Sequence, residues 1–146
     1  MAISYDVIQK GSIVLQYWTG SVTRDDIIVQ QHDCLSDPRI KPNTSVLIDA
    51  TETLFGLTPE KMRDIVNVLF STALHSQTIK NFVLLVNPLT YRLAHVQEAT
   101  AHLYGTPVRA FTSLHEACAS LELDAKMVTS QLERIRHAGP APTPDT

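Results

Sequence analysis

Polar side chains recur where apolar runs give way to helix starts. Asp49 and Thr51 follow Val46-Leu47-Ile48, Thr58 precedes Pro59, Asn87 precedes Pro88 with Thr90 and Arg92 behind it, and Thr112 and Ser113 follow Val108 to Phe111. If each run is a parallel strand, these side chains share one edge of the sheet. Helix N-termini on that edge carry unpaired N–H groups and a partial positive charge, which favour an anion. Arg92, one turn into its helix, adds a fork-shaped donor for a phosphate or carboxylate. A plainer reading gives these residues structural work. Thr58, Asn87 and Ser113 cap helices, Arg92 pairs with an acidic neighbour, and Asp49 accepts N–H bonds from the following loop instead of serving as a general base. The plainer reading takes precedence, because every α/β domain has such an edge. Thr58 is also the hydroxyl at which a phosphate would act as a switch, although a capping threonine before proline needs no such role.

A second group lies on one helix. His95, Glu98 and His102 stand at i, i+3 and i+7 with Tyr91 one turn earlier, on a face opposite much of the Leu93, Val96, Leu103 stripe. Neighbouring pairs suit a divalent metal. All three on one ion do not, because His95 and His102 are about 10 Å apart along the axis. A solvated face or a subunit contact therefore ranks above a metal site. His32, His75, His115 and His137 are scattered. The chain has no phosphate-binding glycine loop, no paired-cysteine motif and no Gly-x-Ser-x-Gly elbow, and no cofactor is expected.

The elements that position these residues follow from periodicity. Ile3 to Ile8 and Ile13 to Trp18 read as a β-hairpin around Gln9-Lys10-Gly11-Ser12. Thr23-Arg24-Asp25-Asp26 resembles a capping box, and Ile27, Ile28, Gln31, Cys34 and Leu35 follow on one helical face, stopped by Asp37-Pro38. Val46 to Ile48 opens a buried strand that Asp49 ends. Pro59 starts a helix with the stripe Met62, Ile65, Val66, Leu69, Phe70 and Ala73. Phe82 to Val86 is the next buried strand, and Leu89, Leu93, Val96, Thr100 and Leu103 mark the next helix, closed by Gly105. Pro107 to Phe111 is the last strand, and Ser113-Leu114-His115-Glu116 a further capping box. The order βαβ repeats after the hairpin, which predicts a mixed α/β sheet with an antiparallel start and parallel βα units. Residues 1–123 form that domain. Residues 124–137 add an amphipathic helix whose stripe (Met127 or Val128, Leu132, Ile135) is too narrow for a core helix, so it should dock on the domain surface or on a second subunit. Residues 138–146 are a proline-rich tail.

Composition bounds the function classes. A chain of 146 residues supports one domain with a substantial core. Its net charge of -3 argues against nucleic acid or an anionic membrane held by bulk charge. The longest apolar run, Phe82 to Val86, is far below the roughly 20 residues of a membrane span. Met1 to Asp6 lacks the pattern of a signal peptide. Cys34 and Cys118 read as core thiols of a cytoplasmic protein.

In order and spacing the chain resembles the small bacterial SpoIIAA-like proteins, which are related to STAS domains and to the CRAL-TRIO lipid-binding fold. The resemblance covers about Ile3 to Leu123. It rests on the hairpin, Gly20-Ser21-Val22-Thr23-Arg24-Asp25-Asp26, Asp37-Pro38 before Val46-Leu47-Ile48-Asp49, Leu57-Thr58-Pro59-Glu60, and Val108-Arg109-Ala110-Phe111-Thr112-Ser113 before Glu116-Ala117. It implies a regulatory or interaction domain that binds a protein partner or a small ligand. Where STAS antagonists of anti-sigma factors carry a phosphorylated Asp-Ser-Ser-Gly turn, this chain has Leu57-Thr58-Pro59-Glu60. The CRAL-TRIO relationship implies the alternative of a carrier for a small apolar or amphipathic ligand. An enzyme using Asp49 or the His95 face is the third reading. Homodimer formation would use the C-terminal helix or the His95 face.

Overall fold

The computed structural model describes residues 2–55, 60, 79–88, 91 and 108–138. Its strands are β1 (Ala2–Ile8), β2 (Ile13–Val22), β3 (Thr44–Phe55), β4 (Ile79–Leu85) and β5 (Val108–Phe111), and its described helices are α1 (Arg24–Leu35), α2 (Leu114–Ser120) and α3 (Ala125–Ala138). The sheet order is β1-β2-β3-β4-β5. β1 pairs antiparallel with β2, and β2, β3, β4 and β5 then pair parallel in turn. The sheet is thus mixed, as the hairpin followed by βα units predicts. The helices expected after Thr58 and Asn87 lie outside the described residues, apart from Glu60 and Tyr91.

The continuous apolar runs are strands buried on both faces. Val46, Leu47 and Ile48 are at most 1 % exposed, as parallel strands covered on two sides must be. Val14, Trp18, Val46, Ile48, Phe82, Leu84 and Val108 face one way and meet Ile27, Cys34 and Leu35 of α1. Ile13, Leu15, Tyr17, Leu47 and Val83 face the other way and meet Ala117 and Cys118 of α2 and Val128, Leu132 and Ile135 of α3.

Local chemistry fixes the element ends. The Asp26 N–H donates to Thr23 Oγ1 at 3.2 Å and starts α1, and the Glu116 N–H donates to Ser113 Oγ at 3.4 Å and starts α2. Each such cap stabilises a helix by about 1 kcal/mol. The β1–β2 connection is a 3₁₀ turn over Gln9–Gly11. There Gly11 has φ 91° and lies so close to Arg39 that a Cβ would stand 2.3 Å from its carbonyl oxygen. No other residue type fits that approach.

Two expectations are corrected. Asp49 does not end its strand, because β3 runs on to Phe55 alongside a β2 that continues to Val22. The narrow stripe of the C-terminal helix is a core stripe, with Val128 fully buried and Leu132 and Ile135 each 6 % exposed. A helix laid flat on a sheet needs only one row of apolar residues when its other side faces water, so a thin stripe suffices.

Candidate functional site at the carboxyl edge of the sheet

The register of β2 and β3 slips at the carboxyl end of β4. Tyr17 pairs with Asp49, but Thr19 pairs with Glu52, so β3 carries one residue more than β2 over this interval. Asp49 also pairs with Leu85, the last residue of β4. Beyond that point β3 has β2 alone as its described neighbour. Such a bulge bends the strand and re-aims its side chains.

Polar groups hold the bulge. The Thr51 N–H and Thr51 Oγ1 both donate to Asp49 Oδ1, at 3.1 and 2.7 Å. Asn87 Nδ2 donates to the Thr51 carbonyl at 3.2 Å, which ties the end of β4 to the bulge. The Thr53 hydroxyl donates to the Trp18 carbonyl at 3.1 Å and restores contact with β2. Asp49 is therefore a positioning carboxylate, in line with the plainer sequence reading. Its Oδ2 accepts no hydrogen bond among the described residues.

The bulge forms one wall of a cleft of about 190 Å³. Asp49, Thr51 and Glu52 of β3 and Tyr17 of β2 face Thr129, Leu132, Glu133 and Arg136 of α3, with Leu114 of α2 closing one end. The four α3 residues are spaced three, one and three apart, which places them on one helical face. Buried Leu132 and Tyr17 lie deep, while Glu52, Thr129, Glu133 and Arg136 are exposed. Arg136 Nη2 lies 2.8 Å from Glu52 Oε1, and the same guanidinium stands over the Tyr17 ring, 5.8 Å from its centroid. Among the described residues the lining thus holds three carboxylates and one guanidinium. A shallower depression of about 550 Å³ adjoins it, sharing Leu114 and Thr129 and running over His115, Ala125, Lys126 and Ser130.

The expected site residues are distributed as follows. Asp49 and Thr51 line the cleft, and Asn87 braces it. Ser113 caps α2 one residue before Leu114, and Thr112 is exposed beside it. Thr58, Thr90, Arg92, His95, Glu98 and His102 lie outside the described residues. An edge suited to anions was expected; Arg92 and the helix N-termini after Thr58 and Asn87, on which that expectation chiefly rests, lie outside the described residues, and the described lining of the cleft is predominantly acidic. Tyr17, Glu52, Glu133 and Arg136 were missed. The spacing of Thr129, Leu132, Glu133 and Arg136 was available in the sequence, but its value depends on α3 being packed against the sheet.

Two further polar groupings are structural. Inside the first core layer, Gln16 and Gln31 exchange reciprocal amide hydrogen bonds at 2.8 Å. Trp18 Nε1 donates to Gln16 Oε1 at 2.9 Å, and Gln16 Nε2 also reaches Cys34 Sγ at 3.3 Å. Burial pushes the Cys34 thiol up to about 12, and burial likewise raises Cys118. Both thiols are free and buried. At the opposite, amino edge, Arg39 binds Asp37 through Nε and Nη2 at 2.8 to 3.2 Å, and Tyr5 OH donates to Asp37 Oδ2 at 2.9 Å. These bonds, the Arg39 ones foremost, hold the Asp37 carboxyl well below the usual carboxylate range. Burial and the bond to Asp37 push Tyr5 up to about 12.

No family model matches the chain, and no curated protein matches it. A solved structure does match. An uncharacterized protein from the DUF3478 family with a SpoIIAA-like fold, from Shewanella loihica PV-4, superposes with a TM-score of 0.52 over 82 % of this chain and 92 % of that one, at 16 % identity. At that identity the likeness is one of fold. The chain has a SpoIIAA-like α/β fold, as its residue pattern implied. Among the described residues no helix is long and apolar enough to cross a membrane.

Proposed function

We propose that this protein is a regulatory or interaction domain that binds its partner or ligand at the cleft between the β3 bulge and α3. The observation that carries this reading is the cleft itself. It lies beside the carboxyl end of β4, between the bulged face of the sheet and α3, and it sets a guanidinium over an aromatic ring next to carboxylates. Asp49, the carboxylate that an enzyme would use as a base, is engaged in shaping the bulge. That favours recognition over catalysis.

Native mass spectrometry of the protein taken from its own cells tests the proposal. A protein or small-molecule mass should accompany the wild-type chain and be lost from the variant carrying Glu52→Lys and Glu133→Lys. Both positions are exposed, so the fold tolerates the change. An added mass that survives these substitutions places the site elsewhere. A bare polypeptide refutes stable binding.

A further inference from the structure

We infer that the ligand group received by the cleft is an organic cation, a guanidinium or alkylammonium, and that Arg136 occupies the place of that cation in the free protein. The inference deepens the proposed function and rests on its choice of site. Three observations carry it. Among the described residues of the lining, the carboxylates of Asp49, Glu52 and Glu133 outnumber the single guanidinium, a balance suited to positive charge. They do not converge as a metal site would, since no group of three His, Cys, Asp or Glu side chains among the described residues is placed to hold a metal ion. Charge spread over a planar or alkylated cation suits separated carboxylates better than a point ion does.

The third observation is the occupant already present. Arg136 shows how a guanidinium sits here, paired to Glu52 at 2.8 Å and over the Tyr17 ring at 5.8 Å. A carboxylate and an aromatic face are the two partners that recognise such a cation. Arg136 is 55 % exposed on its side chain, and it lies in the last turn of its helix. An exposed ion pair of this kind is weak and exchangeable. An incoming cation can therefore take over Glu52 and Tyr17 while Arg136 swings to solvent. Asp49 Oδ2 and Glu133, neither of them paired among the described residues, supply additional negative charge. The adjoining depression over Leu114 and Ala125 leaves room for whatever carries the cation.

The test is a titration of the intact protein followed by amide NMR. The probes are n-butylguanidinium, its neutral isostere n-butylurea, and acetyl-Ala-Arg-Ala-amide. Saturable shifts at Tyr17, Asp49 to Thr53 and Thr129 to Arg136 are expected with both cations and not with the urea. Arg136→Gln should tighten butylguanidinium binding about fivefold, a factor equivalent to about 1 kcal/mol, because it removes the internal competitor. Arg134→Gln, the same charge change on an exposed residue of the same helix outside the cleft, should change binding less than twofold. Glu52→Gln should weaken it. If the peptide binds more than tenfold tighter than butylguanidinium, the cation comes from a protein side chain; comparable binding points to a small molecule. Equal shifts with the urea, or an Arg136→Gln variant that binds no better than wild type, overturn the inference. A cleft-dependent mass in the native spectra together with no response to either cation would leave the proposed site standing and refute the cation alone.

Discussion

Replacing Leu132 by Ala tests whether α3 belongs to the core. Leu132 is 6 % exposed and packs with Val128 and Ile135 against the sheet face formed by Ile13, Leu15, Tyr17, Leu47 and Val83. Deleting a buried leucine costs the transfer energy of the lost atoms and leaves a cavity, together about 2–5 kcal/mol. For a chain of this length each kcal/mol lowers the melting temperature by about 2–4 °C. The expected fall is thus about 4–20 °C by differential scanning calorimetry. Arg134→Ala, exposed on the same helix, should stay within about 0.5 kcal/mol of wild type. Truncation after Leu123 removes Val128, Leu132 and Ile135 together. At about 1.5–3 kcal/mol for each buried side chain the loss is about 4.5–9 kcal/mol, an upper bound because the unfolded chain already buries some of that surface. That is a large fraction of the about 5–15 kcal/mol of a typical domain, so the truncated protein should melt far below the full chain or not fold at all. A truncated protein that melts within a few degrees of the full chain, with Leu132→Ala costing under about 1 kcal/mol, would show that α3 is an attachment and that the cleft it walls is incidental.

Two other perturbations probe polar groups away from the cleft. Asp37 has a folded-state pKa below its ordinary value of 3.8, so the stability it contributes is complete above that value and is lost as pH falls towards the folded-state pKa. The gap between wild type and Asp37→Asn in urea unfolding should be widest near neutrality and shrink steadily below about pH 4; a gap independent of pH contradicts the assignment. Gln31→Leu leaves the buried Gln16 amide without its reciprocal partner and should cost about 1–3 kcal/mol. Adding Gln16→Leu should recover part of that loss although Trp18 Nε1 then loses its acceptor, and a double variant at least as unstable as the sum of the singles would refute pairing as the source.

The parts of the fold that periodicity reveals were legible. Apolar runs such as Val46 to Ile48 and Phe82 to Val86 suit strands covered on both faces, and Thr23 and Ser113 announced their helices by capping chemistry. The site was less legible for two physical reasons. A bulge adds one residue to a strand without altering its composition, so Asp49 read as a strand end when it is a strand interior with a local turn built on its own carboxylate. The stripe of α3 looked thin because width in sequence measures how much of a helix is enclosed, and a helix laid on a sheet face is enclosed on one side alone. Without α3 in the core, nothing in the sequence connects Arg136 with Glu52 or Tyr17, which are 84 and 119 positions away. The buried Gln16–Gln31 pair was hidden differently. Gln31 was placed correctly on the core face of α1, but its partner sits in a strand whose polar residue gave no sign of facing inward.

The bulge and α3 also explain why affinity and stability should oppose one another at this site. Arg136 pins the last turn of α3 to β3 through Glu52 and fills the cation position over Tyr17. Removing it frees the position for a ligand but loosens the wall that defines the cleft. The pin is an exposed ion pair with a cation–π contact, together contributing about 2 kcal/mol at most to folding. The wall itself depends on Val128, Leu132 and Ile135, which contribute more. The cleft should therefore keep its shape when Arg136 leaves, and the cost of displacing it should fall on the ligand's affinity. A domain built in this way binds only cations that outcompete its own arginine, which sets a threshold on what it recognises. That threshold requires no movement of the sheet, because the competing group is a long side chain at the end of a helix whose core contacts lie elsewhere.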